Sequence, residues 1–256
     1  MEPSAYHQMA ETEDRHWWYR GRRAIAGSVI AALDLPERAR ILEIGAGTGG
    51  NIAMLSRFGE VTAVEMSETA RAIGNAKTGV PFLSGHLPDG LPLGDARFDL
   101  ICLFDVLEHV EQDFASLEVI RDLLDDRGRL VLTVPAHQWL WSRHDVDLHH
   151  FRRYSRRGLA ALAEAAGLRV ERLTYTNSAL FPAAAIARLA DRLRSDGASA
   201  GSDLPPAPLN SLMHAIYAAE RHVLPAIDLP MGVSLLAVLS RTRATDTVAS
   251  IEQLAA

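Results

Sequence analysis

The sequence has little of what secreted and membrane proteins require. Its single cysteine, Cys102, lies in an apolar segment, so the chain cannot form an internal disulfide, and we expect a reducing location. No uncharged apolar run approaches the roughly 18 residues of a membrane-spanning helix. The first twenty residues are polar and contain acids, unlike a secretory signal. We therefore expect a cytoplasmic protein without stable membrane insertion.

Positive charge is also scarce. The chain has 26 Lys and Arg against 32 Asp and Glu, a formal net charge of −6. Nucleic-acid binding relies on clustered basic side chains, so this balance predicts no nucleic-acid partner. One local basic patch is formed by Arg152, Arg153, Arg156 and Arg157. With 256 residues, 48% of them hydrophobic, the chain is long enough to bury one α/β core.

The most informative segment is residues 40–51, Arg-Ile-Leu-Glu-Ile-Gly-Ala-Gly-Thr-Gly-Gly-Asn. Its pattern predicts a short apolar strand, a glycine-rich turn and a helix over residues 51–57. Glycines permit positive φ angles and let a ligand approach the backbone. A strand, glycine turn and helix in this order commonly hold a nucleotide-like ligand against the helix N-terminus.

Two ligand-binding patterns fit this turn. The dinucleotide pattern G-x-G-x-x-G uses Gly45, Gly47 and Gly50 and would bring a pyrophosphate to the turn. The pattern E-x-G-x-G-x-G adds Glu43, whose carboxylate would repel a pyrophosphate and attract a cationic ligand. Glu65, which ends the next predicted strand, suits the ribose hydroxyls of either ligand.

Later motifs distinguish these two patterns. Residues 98–110, Phe-Asp-Leu-Ile-Cys-Leu-Phe-Asp-Val-Leu-Glu-His-Val, resemble the fourth strand and following turn of class I S-adenosylmethionine-dependent methyltransferases. Residues 128–135, Gly-Arg-Leu-Val-Leu-Thr-Val-Pro, resemble the fifth strand of that family. The resemblance extends, less sharply, to residues 16–23, 150–154 and 166–168, as in small-molecule methyltransferases. It favours the E-x-G-x-G-x-G interpretation of the turn.

Alternating strand and helix signals predict an α/β fold with a Rossmann-like, seven-stranded, mostly parallel sheet and helices on both faces. The predicted strands lie near residues 40–44, 60–65, 80–83, 98–104, 128–134, 168–175 and 232–240. The resemblance implies that the last strand is antiparallel and inserted beside the fifth.

We expect a single methyltransferase domain over residues 1–256. Residues 1–34 would form an N-terminal helical cap, with one or two helices over 5–33 broken near Gly21 and Gly27. The cofactor-binding core would cover 35–175, a helical insertion or lid 176–230, and the last strand and tail 231–256.

The insertion is too long for a plain connection. The pattern predicts two apolar helices, over residues 179–193 and 209–224, on either side of a polar linker at 195–202. The second stretch has one apolar face, formed by Leu209, Leu212, Met213, Ile216, Tyr217, Val223 and Leu224. Such a face predicts packing on the sheet or on a second subunit of a homodimer, a cover over an apolar substrate, or a foothold on a membrane surface.

The resemblance implies S-adenosylmethionine as the cofactor and assigns its contacts by position. The glycine turn would approach the methionine and ribose portion, Glu43 the amino group and Glu65 the ribose hydroxyls. Met66 would lie along the adenine, and His86 stands where the family often has an acid. The expected cofactor contacts are Tyr19, Arg23, Glu43, Gly45, Ala46, Gly47, Gly49, Asn51, Glu65, Met66, Gly85, His86, Leu87, Phe104, Asp105, Val106 and His109.

Methyl transfer requires an aligned acceptor and, for a hydroxyl, removal of a proton. Histidines follow the fifth predicted strand, and His150 occupies the family's His-x-Arg-Arg-Tyr motif, so it is our first candidate for the general base and His149 the second. The spacing of these histidines and acids matches no closed zinc pattern, so we predict no metal ligands, although the residue types would suit a metal. The candidate acceptor-binding residues are Trp18, Trp139, Trp141, His144, Phe151 and Tyr154.

The predicted function is therefore methyl transfer from S-adenosylmethionine to a hydroxyl or amine of a small molecule, such as a sugar, a secondary metabolite or a lipid precursor. No Asn/Asp-Pro-Pro-aromatic turn follows the fourth strand, which argues against adenine or glutamine amides as acceptors. Two alternatives stay open. The same cofactor could serve a non-methylating reaction, or the chain could be a nicotinamide-dependent oxidoreductase that uses the dinucleotide pattern.

Overall fold

A computed structural model describes residues 3–193 and 204–242 of the chain. Within these ranges the strands are β1 (Ala39–Ile44), β2 (Gly59–Glu65), β3 (Phe82–Ser84), β4 (Phe98–Phe104), β5 (Leu124–Pro135), β6 (Leu168–Thr176) and β7 (Ser234–Arg241). The helices are α1 (Pro3–Thr12), α2 (Trp17–Ala31), α3 (Ile52–Leu55), α4 (Glu68–Thr78), α5 (Asp113–Leu123), α6 (Arg143–Asp147), α7 (Arg156–Ala165), α8 (Phe181–Leu193) and α9 (Ala207–Ala219). Short 3₁₀ turns cover Leu107–His109, Gln138–Leu140 and Glu220–His222.

The seven strands form one sheet in the order β3-β2-β1-β4-β5-β7-β6. Strands β1 to β5 pair in parallel, whereas β7 lies between β5 and β6 and is antiparallel to both. The predicted Rossmann-like fold and the inserted antiparallel strand are therefore confirmed. The strand order reverses between β1 and β4, and the carboxyl ends of strands at such a point form the usual ligand-binding crevice of an open α/β sheet.

Both faces of the sheet are buried, which explains the nearly continuous apolar sequence of the central strands. Along β4, Ile101 and Leu103 pack in one core with α5 and α7, whereas Leu100 and Cys102 pack in a second core with α2 and α9. Adjacent side chains of a strand point to opposite faces, so each strand contributes to both cores. The cysteine is thus a small core residue.

The N-terminal helices break at a different place from the predicted one. The prediction of a break near Gly21 and Gly27 is wrong, because both glycines lie inside α2 and the break falls between Thr12 and Trp17. There His16 caps α2 by accepting a hydrogen bond from the backbone of Trp18 at 3.2 Å. Gly21 instead permits close helix packing, since a Cβ at this position would lie 2.3 Å from Cδ1 of Tyr217 on α9.

The insertion contains two helices, α8 and α9, as predicted, and the linker predicted at 195–202 lies outside the described residues. The apolar face predicted over 209–224 is buried only in part. Tyr217 and Leu224 are buried, but Leu209, Leu212 and Val223 are exposed. No helix within residues 3–193 and 204–242 is long and apolar enough to cross a bilayer.

A polar contact fixes α9 against the start of α2. The side chain of Asn210 accepts a hydrogen bond from the backbone N–H of Trp17 at 2.8 Å and donates one to the carbonyl of Arg15 at 2.9 Å. Asn210 is itself buried. The insertion is thereby joined to the N-terminal helices beside the second core.

Candidate active site

The glycine turn follows β1 at the point where the strand order reverses. Gly45, Gly47 and Gly49 have φ angles of +72°, +55° and +85°, a region that other residues rarely adopt. A Cβ at Gly45 would also lie 2.6 Å from a methyl group of Val106. The helix that follows, α3, is shorter than the predicted 51–57 because the turn extends as far as Asn51 and the helix already ends at Leu55.

The carboxylate of Glu65 lies beside this turn at the end of β2. Its two oxygens accept hydrogen bonds from the backbone N–H groups of Gly47 at 2.9 Å and Ser67 at 2.8 Å. A carboxylate has about four acceptor positions, so it can still bind two hydroxyl groups. The neighbouring Met66 is 70% exposed.

Glu43 is fully buried beneath the turn. One of its carboxylate oxygens accepts a hydrogen bond from the side chain of Asn51 at 2.7 Å, and the other has no hydrogen-bond partner among the described residues. Burial raises the pKa of Glu43 to about 8, although the Asn51 hydrogen bond and the charge of Arg22 oppose this shift. A cation beside this carboxyl would favour its ionised form.

Helix α1 covers the glycine turn. A Cβ at Gly47 would lie 3.2 Å from the terminal methyl of Met9. Just after α1, the carboxylate of Glu13 accepts hydrogen bonds from the hydroxyl of Thr48 at 2.7 Å and from Lys77 at 2.8 Å. The guanidinium of Arg23 donates to the carbonyl of Glu13 at 2.8 Å. The N-terminal segment is therefore tied to both sides of the turn.

The arginine that reaches the end of β4 is Arg22, which was not among the predicted cofactor contacts. It forms an ion pair with Asp105 and lies 5.6 Å from the ring centroid of Tyr19. Burial raises the pKa of Tyr19. Arg22 precedes the buried Ala26 by four residues, so helical periodicity places it on the inner face of α2 and could have identified it.

Asp105 follows Phe104 in a left-handed conformation, with φ at +57°. Its carboxylate also accepts a hydrogen bond from the hydroxyl of Thr133 on β5 at 2.9 Å. The structure thus brings Val106, with Asp105 beside it, next to the glycine turn, and their position beneath a cofactor stays a prediction.

The loop after β3 lies at the rim of this region. Gly85 is close-packed, His86 is exposed and contacts Gly90, and Leu87 is buried. A cavity of about 270 Å³ lies between this loop and the segment that follows the 3₁₀ turn after β4. Its lining residues are His86, Leu87, Pro88, Asp89, Val110, Glu111 and Gln112.

A second group of polar residues forms where the segment after α6 meets the segment after β4. The backbone N–H of Phe151 donates to the carbonyl of Glu108 at 2.8 Å. This contact brings the rings of His109 and His150 edge to face, with their centroids 4.6 Å apart. Burial and, to a smaller extent, the neighbouring His150 lower the pKa of His109 to about 4.

Asp145 orients His150. Its carboxylate, which is fully buried, is 2.9 Å from Nδ1 of His150 and accepts hydrogen bonds from Nε of Arg153 at 2.7 Å and the backbone of Ser142 at 2.9 Å. Burial opposes ionisation, but His150 and Arg153 hold the pKa of Asp145 well below its usual range. His149, the second candidate base, is exposed in a turn with φ at +57°.

The predicted acceptor-binding residues lie in different surroundings. Trp139 and Phe151 are 48% and 52% exposed, and Trp139 contacts a ring cluster in which His137 stacks on Tyr175 at 5.1 Å. The remaining residues are more enclosed. Trp141 and His144 are half-buried, Trp18 stacks on Tyr217 at 5.5 Å, and Tyr154 packs in the first core with its hydroxyl donating to Asp113 at 3.0 Å.

Burial and the charge of Arg188 lower the pKa of His144 to about 3. His144 is therefore neutral near pH 7.

Asp145, Arg153 and Glu108 were not among the predicted site residues. The motif His-x-Arg-Arg-Tyr contained Arg153, but only the folded chain shows that Asp145 joins it to His150.

Known proteins resemble this chain in sequence profile and in fold. A family profile described as "Methyltransferase domain" matches residues 17–173, more than half of the chain. No curated protein sequence gives a significant match.

Several solved structures have the same fold. A TehB-like S-adenosylmethionine-dependent methyltransferase from Corynebacterium glutamicum is 17% identical, with 84% of this chain and 87% of that chain covered and a TM-score of 0.52. A Thermotoga maritima protein described as a possible histamine N-methyltransferase is 19% identical, with 93% and 100% covered and a TM-score of 0.58. The [4+2]-cyclase SpnF is 18% identical, with 88% and 83% covered and a TM-score of 0.57.

Proposed function

The chain belongs to the methyltransferase domain family, and from this premise we propose that it transfers the methyl group of S-adenosylmethionine to a hydroxyl or amine of a small molecule. The observation that carries the proposal is the juxtaposition of the left-handed glycine turn with the Glu65 carboxylate where the strand order reverses. Family membership also decides between the two sequence patterns, in favour of E-x-G-x-G-x-G.

The residues of this region fit the cofactor. A Cβ at Gly45, Gly47 or Gly49 would lie within 3.2 Å of another side chain, so the turn accommodates only glycines. Glu65 keeps free acceptor positions, and Glu43 has one buried oxygen without a hydrogen-bond partner among the described residues. Glu65 would hold the ribose hydroxyls and Glu43 would attract the positively charged amino group. When bound, S-adenosylmethionine supplies a sulfonium methyl group that a nucleophile can displace, leaving the electron pair of the broken bond on sulfur.

We assign the acceptor to the carboxyl ends of β4 and β5, where His150 lies. Asp145 accepts a hydrogen bond from Nδ1–H of His150, which leaves Nε2 free to receive a proton from an acceptor hydroxyl. The exposed rings of Trp139 and Phe151 would form part of the acceptor pocket. In this proposal, specificity resides in residues 1–25, 137–154 and 176–230, and the acceptor is a cytoplasmic small molecule rather than a nucleic acid.

The experiment compares His150→Gln with His149→Asn. Purified variants are incubated with methyl-labelled S-adenosylmethionine and a panel of small hydroxylated and amino compounds, and the release of S-adenosylhomocysteine is measured. We expect His150→Gln to lose at least about 100-fold in kcat, the magnitude typical of a lost general base, while its affinity for S-adenosylmethionine stays within about twofold.

His149→Asn is the matched control. Asparagine tolerates the left-handed backbone conformation at this position, so the fold should not change. Equal activity losses in both variants would contradict the assigned role of His150. Cofactor binding without methyl transfer to any compound would instead favour the alternative of a non-methylating reaction, for which the fold of SpnF offers a precedent.

A further inference from the structure

We infer that Glu108, His109 and His150 form a binding site for one divalent transition-metal cation. Each residue offers one ligand atom, and these atoms all lie within 4.8 Å of one another. Two ligands about 2.1 Å from a common ion are at most about 4.2 Å apart, so small side-chain rotations would bring the three atoms into coordination range. A carboxylate and two imidazoles are a common ligand set for such cations.

The surroundings of Glu108 support this site independently. Its side chain is only 1% exposed, yet neither carboxylate oxygen has a hydrogen-bond partner among the described residues. Buried carboxylates in proteins almost always have hydrogen-bond or ionic partners. The two nearby arginines are already paired, Arg22 with Asp105 and Arg153 with Asp145. A coordinated cation would compensate the carboxylate of Glu108.

The orientation of His150 is also that of a metal ligand. Because Nδ1 lies 2.9 Å from the Asp145 carboxylate, the ring presents the lone pair of Nε2 on its other side. Histidine ligands in metalloproteins usually have a carboxylate or carbonyl bound to the second ring nitrogen in this way. Asp145 is itself held by Arg153 and Ser142, so this support is rigid.

The ligand set selects among cations. Two of the three ligands are imidazoles, which suit Zn²⁺, Fe²⁺ and Ni²⁺ better than Mg²⁺ or Ca²⁺, whose ligands are mostly oxygen atoms. Three protein ligands leave further coordination positions for an exogenous molecule. We therefore assign the site to a first-row transition metal. Mn²⁺ serves as the probe because the free ion is followed directly by electron paramagnetic resonance, although such sites bind it more weakly than the later metals.

The role of the cation, unlike its binding, rests on the proposed function. If the acceptor lies at the ends of β4 and β5, a cation here would lower the pKa of an acceptor hydroxyl directly. The proposed methyl transfer would be unchanged, but the cation, instead of His150 as a free base, would make the hydroxyl nucleophilic, and His150 would serve as its ligand. Activity would in that case be lost on chelation and restored by Mn²⁺, whereas catalysis by the free base would be unaffected by a chelator.

The test is a titration of the full-length, chelator-treated protein with Mn²⁺, with free Mn²⁺ followed by electron paramagnetic resonance. We expect one site per chain in the wild type and at least tenfold weaker binding in Glu108→Gln. The control is Glu111→Gln, which removes the same charge from an exposed position in the adjacent turn and should bind within twofold of the wild type. Thermal unfolding without metal verifies that Glu108→Gln is folded.

The inference is overturned if the wild type binds no more Mn²⁺ than Glu108→Gln, or if Glu111→Gln loses affinity equally. Titration of the same preparations with S-adenosylmethionine separates the two proposals. Cofactor binding without a Mn²⁺ site would contradict the inferred metal site and leave the proposed function intact. A Mn²⁺ site in a protein that does not bind S-adenosylmethionine would support the metal site and contradict the proposed function.

Discussion

Replacement of Asp145 by asparagine is expected to lower the free energy of unfolding by about 3 to 5 kcal/mol, the usual cost of removing one partner from a buried ion pair. The guanidinium of Arg153 is 3% exposed and the Asp145 carboxylate is fully buried. Arg153 also donates to the carbonyl of Ala136 at 3.1 Å, which keeps the guanidinium in place when the carboxylate charge is lost. The variant would therefore retain a buried cation without its counter-ion.

Asp147→Asn provides the matched control. Asp147 lies on the same short helix, but its side chain is 47% exposed and only 3.8 Å from Nε of Arg143. We expect this exposed pair to contribute less than about 1 kcal/mol. Urea unfolding followed by circular dichroism measures both variants, and similar losses in the two would show that Asp145 has no special structural role.

The second large effect concerns Glu43 and pH. The pKa of Glu43 is raised from its ordinary value of 4.5 to about 8 in the folded chain, chiefly by burial. The folded state therefore holds a proton that the unfolded state releases, so the contribution to stability is complete below about pH 4.5 and is lost as pH rises through about 8. At about 1.4 kcal/mol per pH unit, the free energy of unfolding falls by roughly 3 kcal/mol between about pH 5.5 and pH 8.5.

Glu43→Gln removes this proton equilibrium while keeping a similar shape and an acceptor for Asn51. Both proteins are compared without cofactor. From about pH 5.5 to about pH 8.5, we expect the free energy of unfolding of the variant to rise by about 3 kcal/mol relative to that of the wild type. The exposed Glu37→Gln should follow the wild type at both values. Parallel pH dependence of Glu43→Gln and the wild type would contradict the raised pKa.

Most of the sheet could be predicted from sequence because its strands alternate with helices and are bounded by turns. The alternation of β4 side chains between the two cores, with Ile101 and Leu103 on one side and Leu100 on the other, is a local property of the chain. The glycine turn is equally local, since its φ angles depend on Gly45, Gly47 and Gly49 themselves.

The failures involve contacts between distant parts of the chain. Gly21 reads as a helix breaker until Tyr217 is found against it. Glu108 and His109 are separated from His150 by about forty residues, and contacts between the two segments, such as the hydrogen bond between Phe151 and Glu108, bring them together. A metal pattern based on short spacings could not have identified this cluster. The role of Asp145 in orienting His150 likewise depends on the fold of the segment that follows β5.

The central claim is that the glycine turn and Glu65 hold S-adenosylmethionine. Calorimetric titration of the wild type, Glu65→Ala and the exposed control Glu68→Ala with S-adenosylmethionine tests it most directly. Loss of two hydrogen bonds to a carboxylate, each contributing about 1.5 to 3 kcal/mol, predicts at least about 100-fold weaker binding by Glu65→Ala. We expect micromolar affinity in the wild type and in Glu68→Ala, on the order of −8 kcal/mol. Wild-type protein that does not bind, or Glu65→Ala that binds equally well, would contradict the account.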